Sequence, residues 1–115
     1  MHKDLRLRRP ELFKKVYEQG KSVATKEAVL YYLYVGEQDQ ARVGFSVSKK
    51  VGNAVVRNKL RRRLKNVFIS VADRLQGGYL LVVIGRPRAA GVAFSELEAG
   101  IHRLLSRARI FKEDQ

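Results

Sequence analysis

At 115 residues the chain has the length of one ordinary domain, enough to bury about two-thirds of the surface it exposes when unfolded, and one core is expected. Its 24 Lys and Arg against 11 Asp and Glu give a formal charge of +13, which favours a polyanionic partner, nucleic acid ahead of an anionic membrane surface. The absence of cysteine excludes disulfides, thiol catalysis and cysteine zinc sites, and no apolar run approaches the ~20 residues of a membrane span, so a cytoplasmic, membrane-free protein is expected.

In chain order, Pro10 suits a first helical position, Glu11 the positive end of a helix, and Leu12, Phe13, Val16 and Tyr17 share one face before Gly20, which predicts a short helix over 10–19. Lys21 to Thr25 is a candidate strand, and Ala28 to Val35 is rich in strand formers. After a polar turn at 36–40, Val43, Phe45 and Val47 alternate with Arg42, Gly44, Ser46 and Ser48, so one face of that strand meets the core and the other is polar and small-chained. The segments 28–35 and 42–48 read as an antiparallel hairpin.

Gly52-Asn53 predicts a turn with Asn53 capping a long helix, whose apolar stripe is Val56, Leu60, Leu64, Val67, Phe68, Val71 and Leu75. Gly77-Gly78 ends it. Tyr79 to Ile84 is a continuous apolar run of the kind found in central strands, broken by Gly85-Arg86-Pro87. Ser95-Glu-Leu-Glu98 has the form of a capping box opening a last helix with Leu97, Ile101, Leu104 and Leu105 on one face. The order α-β-β-β-α-β-α describes an α+β fold of a single domain, 1–115, with a mixed sheet packed by helices.

The segment Arg42–Lys65 carries nine Lys or Arg and no acid. On the long helix Arg57, Arg61 and Lys65 recur at i, i+4 and i+8, with Asn58, Arg62 and Asn66 beside them, away from the apolar stripe. Like charges so stacked cost a few tenths of a kcal/mol per pair unless phosphates neutralise them. A solvated face is the ordinary meaning of helical charge, but two dozen acid-free residues point to a polyanion site. Lys49 and Lys50, between strand and helix, would converge on a phosphate together with free amides beyond Gly52. Phe13 and Tyr17, with a tyrosine of the strand beneath them, can form a stacking platform for unpaired bases, while Phe45 reads as core. No catalytic constellation is read: His2 lies in the N-terminal arm and His102 between Ile101 and Arg103 on the last helix, both incidental, Ser46 and Ser48 lack an obvious base, and no residue is assigned to catalysis or to a metal.

The run Arg42-x-Gly-Phe-Ser-Val-Ser-Lys-Lys-Val-Gly-Asn-Ala-Val-x-Arg57-Asn58-Lys59-x-Arg61-Arg62 closely resembles the signature of the protein subunit of bacterial ribonuclease P. Leu12-Phe-Lys-Lys-Val-Tyr17 resembles that family's N-terminal helix, Gly20 to Ala24 its following turn, and Val29-Leu-Tyr31 its first long strand. The resemblance implies an α/β sandwich with a left-handed β-α-β crossover through the central helix, against the usual handedness. It also implies a subunit of an endoribonuclease in which a catalytic RNA, using magnesium, removes the 5′ leader of precursor tRNA. The protein itself would bind no cofactor and need no obligate protein partner.

Carried onto this chain, the resemblance assigns Arg57, Asn58, Lys59, Arg61, Arg62 and Lys65 to the catalytic RNA, and Phe13, Tyr17, Tyr31, Ser46, Ser48, Lys49 and Lys50 to the single-stranded leader. Two departures stand out. Lys59 replaces the second arginine of a frequent Arg-Asn-Arg core, exchanging a planar fork for a point charge, and Tyr17 stands where phenylalanine is common. A ribosomal or general RNA-binding protein would account for the charge but not for the signature. A DNA-binding helix in a major groove fits less well, since no dimer element accompanies it.

Overall fold

A computed structural model describes residues 5–36 and 40–114. Helix α1 (Pro10–Gln19) is followed by strands β1 (Lys21–Ala24), β2 (Ala28–Tyr34) and β3 (Arg42–Val47), helix α2 (Ala54–Val71), strand β4 (Tyr79–Gly85) and helix α3 (Phe94–Arg107). The expected α+β order is therefore present. His2 and residues 37–39 of the polar turn lie outside the described residues.

The strand order is β1-β2-β4-β3, which corrects the expected hairpin between 28–35 and 42–48. Strands β2 and β3 do run in opposite directions, but β4 lies between them, antiparallel to β2 from Ala28↔Gly85 to Tyr34↔Tyr79 and parallel to β3 from Arg42↔Leu80 to Val47↔Gly85. The physical reason is the composition of β4. Leu80, Leu81, Val82 and Val83 are all buried, and a strand apolar on both faces is stable only with cover on both sides and partners on both edges. The connection from β3 to its parallel neighbour then passes through α2, the β-α-β crossover that the resemblance implies.

Helix α2 starts where Asn53 Oδ1 accepts the Val56 amide at 3.0 Å, as its sequence predicts. Leu60, Leu64, Val67, Phe68 and Val71 are buried against the sheet and α3. Each such side chain contributes about 1.5–3 kcal/mol through removal from water. Phe68 also meets Phe45 edge-on at 5.6 Å between ring centroids, which places Phe45 in the main core. The helix proper stops at Val71, earlier than its stripe implies. Leu75 is still buried, because a 3-10 turn at Ala72–Arg74 brings it to a β-bridge with Phe111.

Helix α3 begins at Phe94 rather than after Ser95. Its cap is the extended Ala93, whose carbonyl accepts the amides of Glu96 and Leu97, and no side chain closes a capping box. The entry is set from outside the helix: Arg63 Nη1 donates to the Val92 carbonyl at 2.9 Å, and Val92 packs on the core.

A smaller apolar cluster occupies the other face of the sheet, where Leu7, Val16, Leu80 and Val82 are buried and Leu12, Phe13, Tyr31, Leu33 and Ile84 pack partly against them. The one helix on this face among the described residues is the ten-residue α1, so the face stays partly open. The segment before α1 adds to it. The Leu7 amide donates to the Val43 carbonyl at 3.0 Å and the Val43 amide to the Leu5 carbonyl at 2.7 Å, extending the sheet past β3 in parallel.

Candidate nucleic-acid interface

The open sheet face, α1 and one edge of α2 enclose a groove of 390 Å3. It is lined by Arg6, Phe13, Asn58, Arg61, Arg62 and Lys65, with Leu7 and residues 43–45 of β3 as its floor. Four side chains assigned above to one RNA surface and the ring assigned to another thus line one continuous site. Asn58 Oδ1 accepts from Arg61 Nη1 at 2.7 Å, which orients that guanidinium and leaves its other N–H donors for a ligand. Arg62 and Lys65 are exposed.

No ion pair is seen on this edge among the described residues. Among the described residues the ion pairs join Arg9 to Glu11, Arg74 to Glu113 and Arg103 to Glu27, and none reaches α2. Arg57 and Lys59 stand apart from the groove. Arg57 is half-buried, with its Nε buried and unpartnered, while Lys59 lies with Arg63 along a separate depression beside Val55 and Gly91.

Phe13 is half-buried and its ring lies over Gly44. A Cβ at position 44 would overlap the far edge of that ring, so the small-chained face of β3 is what admits the aromatic. Farther along α1, Tyr17 is exposed and meets Tyr31 of β2 edge-on, with ring centroids 5.1 Å apart and planes at 90°. Partial burial, and then the neighbouring Tyr31, push the Tyr17 phenol above its ordinary value. The Ser46 hydroxyl opposes them by hydrogen bonding to the same group. Phe13, Tyr17, Tyr31 and Ser46 therefore form one surface: two rings from a helix, one from the sheet, and a hydroxyl beside them.

At the end of β3, Ser48 Oγ accepts the Lys50 amide at 3.3 Å and caps a 3-10 turn over Lys49–Val51. Several amides around this corner have partners. Those of Val51 and Gly52 donate to the carbonyls of Ser48 and Lys49, and that of Val56 to Asn53. The ammonium groups of Lys49 and Lys50 are exposed at the same corner and available to an anion.

Arg6 is the groove residue that sequence reasoning missed. The alternation Leu5-Arg6-Leu7-Arg8 is a strand signal, but it is too short to stand out from a charged arm until its pairing with Val43 is seen. His102 packs edge-on to Phe111 at 5.8 Å, on the far helix. Among the described residues no group of three His, Cys, Asp or Glu could hold a metal ion, and no helix is long and apolar enough to cross a membrane.

Comparison with known proteins identifies the family. The family model described as Ribonuclease P matches residues 1–109. The ribonuclease P protein component of Symbiobacterium thermophilum is 38% identical over 114 residues, covering 99% of this chain and 99% of that protein. That of Bacillus pumilus is 35% identical over 113 residues, covering 98% and 95%. The solved RNase P protein of Staphylococcus aureus superposes with a TM-score of 0.87 at 32% identity, over 95% of this chain and 99% of that one. That of Thermotoga maritima does so with 0.77 at 31% identity, over 92% and 97%. The chain therefore belongs to the ribonuclease P protein family.

Proposed function

We propose that this chain is the protein subunit of a cytoplasmic ribonuclease P, binding both the catalytic RNA and the 5′ leader of precursor tRNA so that the RNA, with its magnesium, removes the leader. The observation that carries this reading is the acid-free groove in which the Phe13 ring lies beside Asn58, Arg61, Arg62 and Lys65. Guanidinium forks on a rigid helix suit the phosphates of structured RNA, and an aromatic over a small-chained strand suits an unstacked base.

The division of labour is the one that the family resemblance implies. The outer edge of α2, from Arg57 to Lys65, takes the catalytic RNA. Phe13, Tyr17, Tyr31 and Ser46 take leader bases, and Ser48, Lys49 and Lys50 take leader phosphates. Stacking contributes about 1–3 kcal/mol per base and the phosphate contacts add affinity that falls with salt. The protein supplies position and charge; the RNA supplies the chemistry.

The test is cleavage of a precursor tRNA by the RNA with and without protein, together with affinity of the assembled complex for precursors of decreasing leader length. Protein-dependent stimulation that disappears as the leader is truncated supports the reading. Cleavage by highly purified protein alone, or affinity independent of the leader, defeats it.

A further inference from the structure

One rim of the sheet gathers a second set of cations. Lys26 comes from the turn between β1 and β2, Arg86 and Arg88 follow β4, and Arg103 and Arg107 come from α3; together they line an open depression of 630 Å3 with no acid in its wall. Two of the guanidinium groups are held in place by the backbone. Arg86 Nη1 donates to the Thr25 carbonyl at 3.0 Å, and Arg107 Nη1 to the Ala24 carbonyl at 2.7 Å. Each retains further N–H donors on a planar fork suited to phosphate. Glu27, buried beside Gly100 and outside the wall, has its Oε1 3.7 Å from Arg103, one of the five cations.

The strand register makes this depression continuous with the leader surface. Gly85 pairs with Val47 on one side and Ala28 on the other, so the residues just beyond them, Ser48 to Lys50, Arg86 and Lys26, follow one another along the same rim. The turn at Lys49–Val51 also packs against the one at Pro87–Ala89. A strand leaving the groove past Lys49 and Lys50 meets Arg88 and Lys26 next.

We propose that the rim depression is a second RNA-backbone site, taking phosphodiester groups of an RNA strand that continues beyond Lys50. The inference rests on the chain being an RNA-binding subunit as proposed above, and adds a contact surface outside the residues assigned there. Two RNAs carry this chemistry, an extended leader and the catalytic RNA, and the arms of the test separate them.

The double variant Lys26→Ala/Arg88→Ala removes two exposed cations that make no hydrogen bond or ion pair among the described residues, so an unchanged thermal midpoint is expected. Its binding to the catalytic RNA, and the binding of the assembled complex to precursors with long and short leaders, are measured against salt. Loss of two single-stranded phosphate contacts lowers the slope of log affinity against log salt by about 1.4. A drop confined to the long leader assigns the site to the leader; a drop in the binary complex assigns it to the catalytic RNA. Slopes unchanged in both overturn the proposal. Arg62→Ala serves as the control: if it weakens binding while the double variant does not, only the rim site fails, whereas a wild-type chain that binds neither RNA removes the underlying reading as well.

Discussion

The ring of Phe13 rests directly on Gly44, where helix α1, packed on β2 and β4, reaches over to strand β3 and the groove begins. The contact joins the fold to the site: a hydrogen at position 44 is what lets an aromatic from α1 lie low enough to line a groove whose other wall is arginine. Gly44→Ala should displace that ring, costing about 1–3 kcal/mol of stability as an overpacked contact and weakening leader binding together with it. Thermal denaturation and leader affinity measured on one preparation check this; a stable variant with undiminished affinity shows that the ring is free to move.

Phe13→Ala separates the two roles. The ring is half-buried, so some stability is lost, but the larger effect should be on substrate: about 1–3 kcal/mol of affinity for precursor tRNA if a base stacks there, with binding to the catalytic RNA spared. Equal losses toward both RNAs would make Phe13 a packing residue of the whole groove.

Arg62 and Arg63 are adjacent in sequence and differ in surroundings. Arg62 is exposed in the groove, whereas Arg63 spends a donor on the Val92 carbonyl and lies in a different depression. Arg62→Ala should lower the salt slope of catalytic-RNA binding by about one unit, the effect of one phosphate contact. Arg63→Ala should leave that slope alone and lower the melting temperature instead. A reversed outcome moves the RNA to the other edge of α2.

How far the sequence reaches is visible in α2. Its cap, start and apolar stripe are local, with Asn53, Leu60, Leu64 and Phe68 all where their spacing puts them, because each depends on neighbours within a few residues. The sheet order is not local. Nothing in residues 28–35 or 42–47 says that β4, some forty residues later, separates them; the fully apolar run 80–83 carries the only hint. The site divides in the same way. Basic residues on α2 are legible as a class, but which of Lys59 and Arg62 faces the groove depends on where α1 and the Leu5–Leu7 segment lie, and that is a tertiary fact.

Asn53→Ala tests the local part. Losing the bond to the Val56 amide should cost about 0.5–2 kcal/mol of stability, as for other helix caps. Because the cap holds the first turn of α2, just before Arg57, RNA affinity should fall less than stability does, and Asn53→Ser should restore most of the loss. Denaturant titration of the three proteins decides it.

The last expectation concerns Tyr17 and pH. Partial burial and Tyr31 raise the phenol above the ordinary tyrosine value of about 10, and the Ser46 hydroxyl, by favouring the ionised form, pulls the other way. A folded-state value above the unfolded one means that the folded chain holds its proton more tightly. The associated stability is whole below the unfolded pKa and is lost as pH rises through the folded one, so RNA binding through a neutral Tyr17 ring should be flat from neutral pH up to the ordinary tyrosine range. Removing the opposing hydroxyl in Ser46→Ala should move the Tyr17 titration still higher. Ultraviolet difference or NMR titration against Tyr17→Phe isolates the signal, and a downward shift in Ser46→Ala would show that the hydroxyl stabilises the neutral phenol instead.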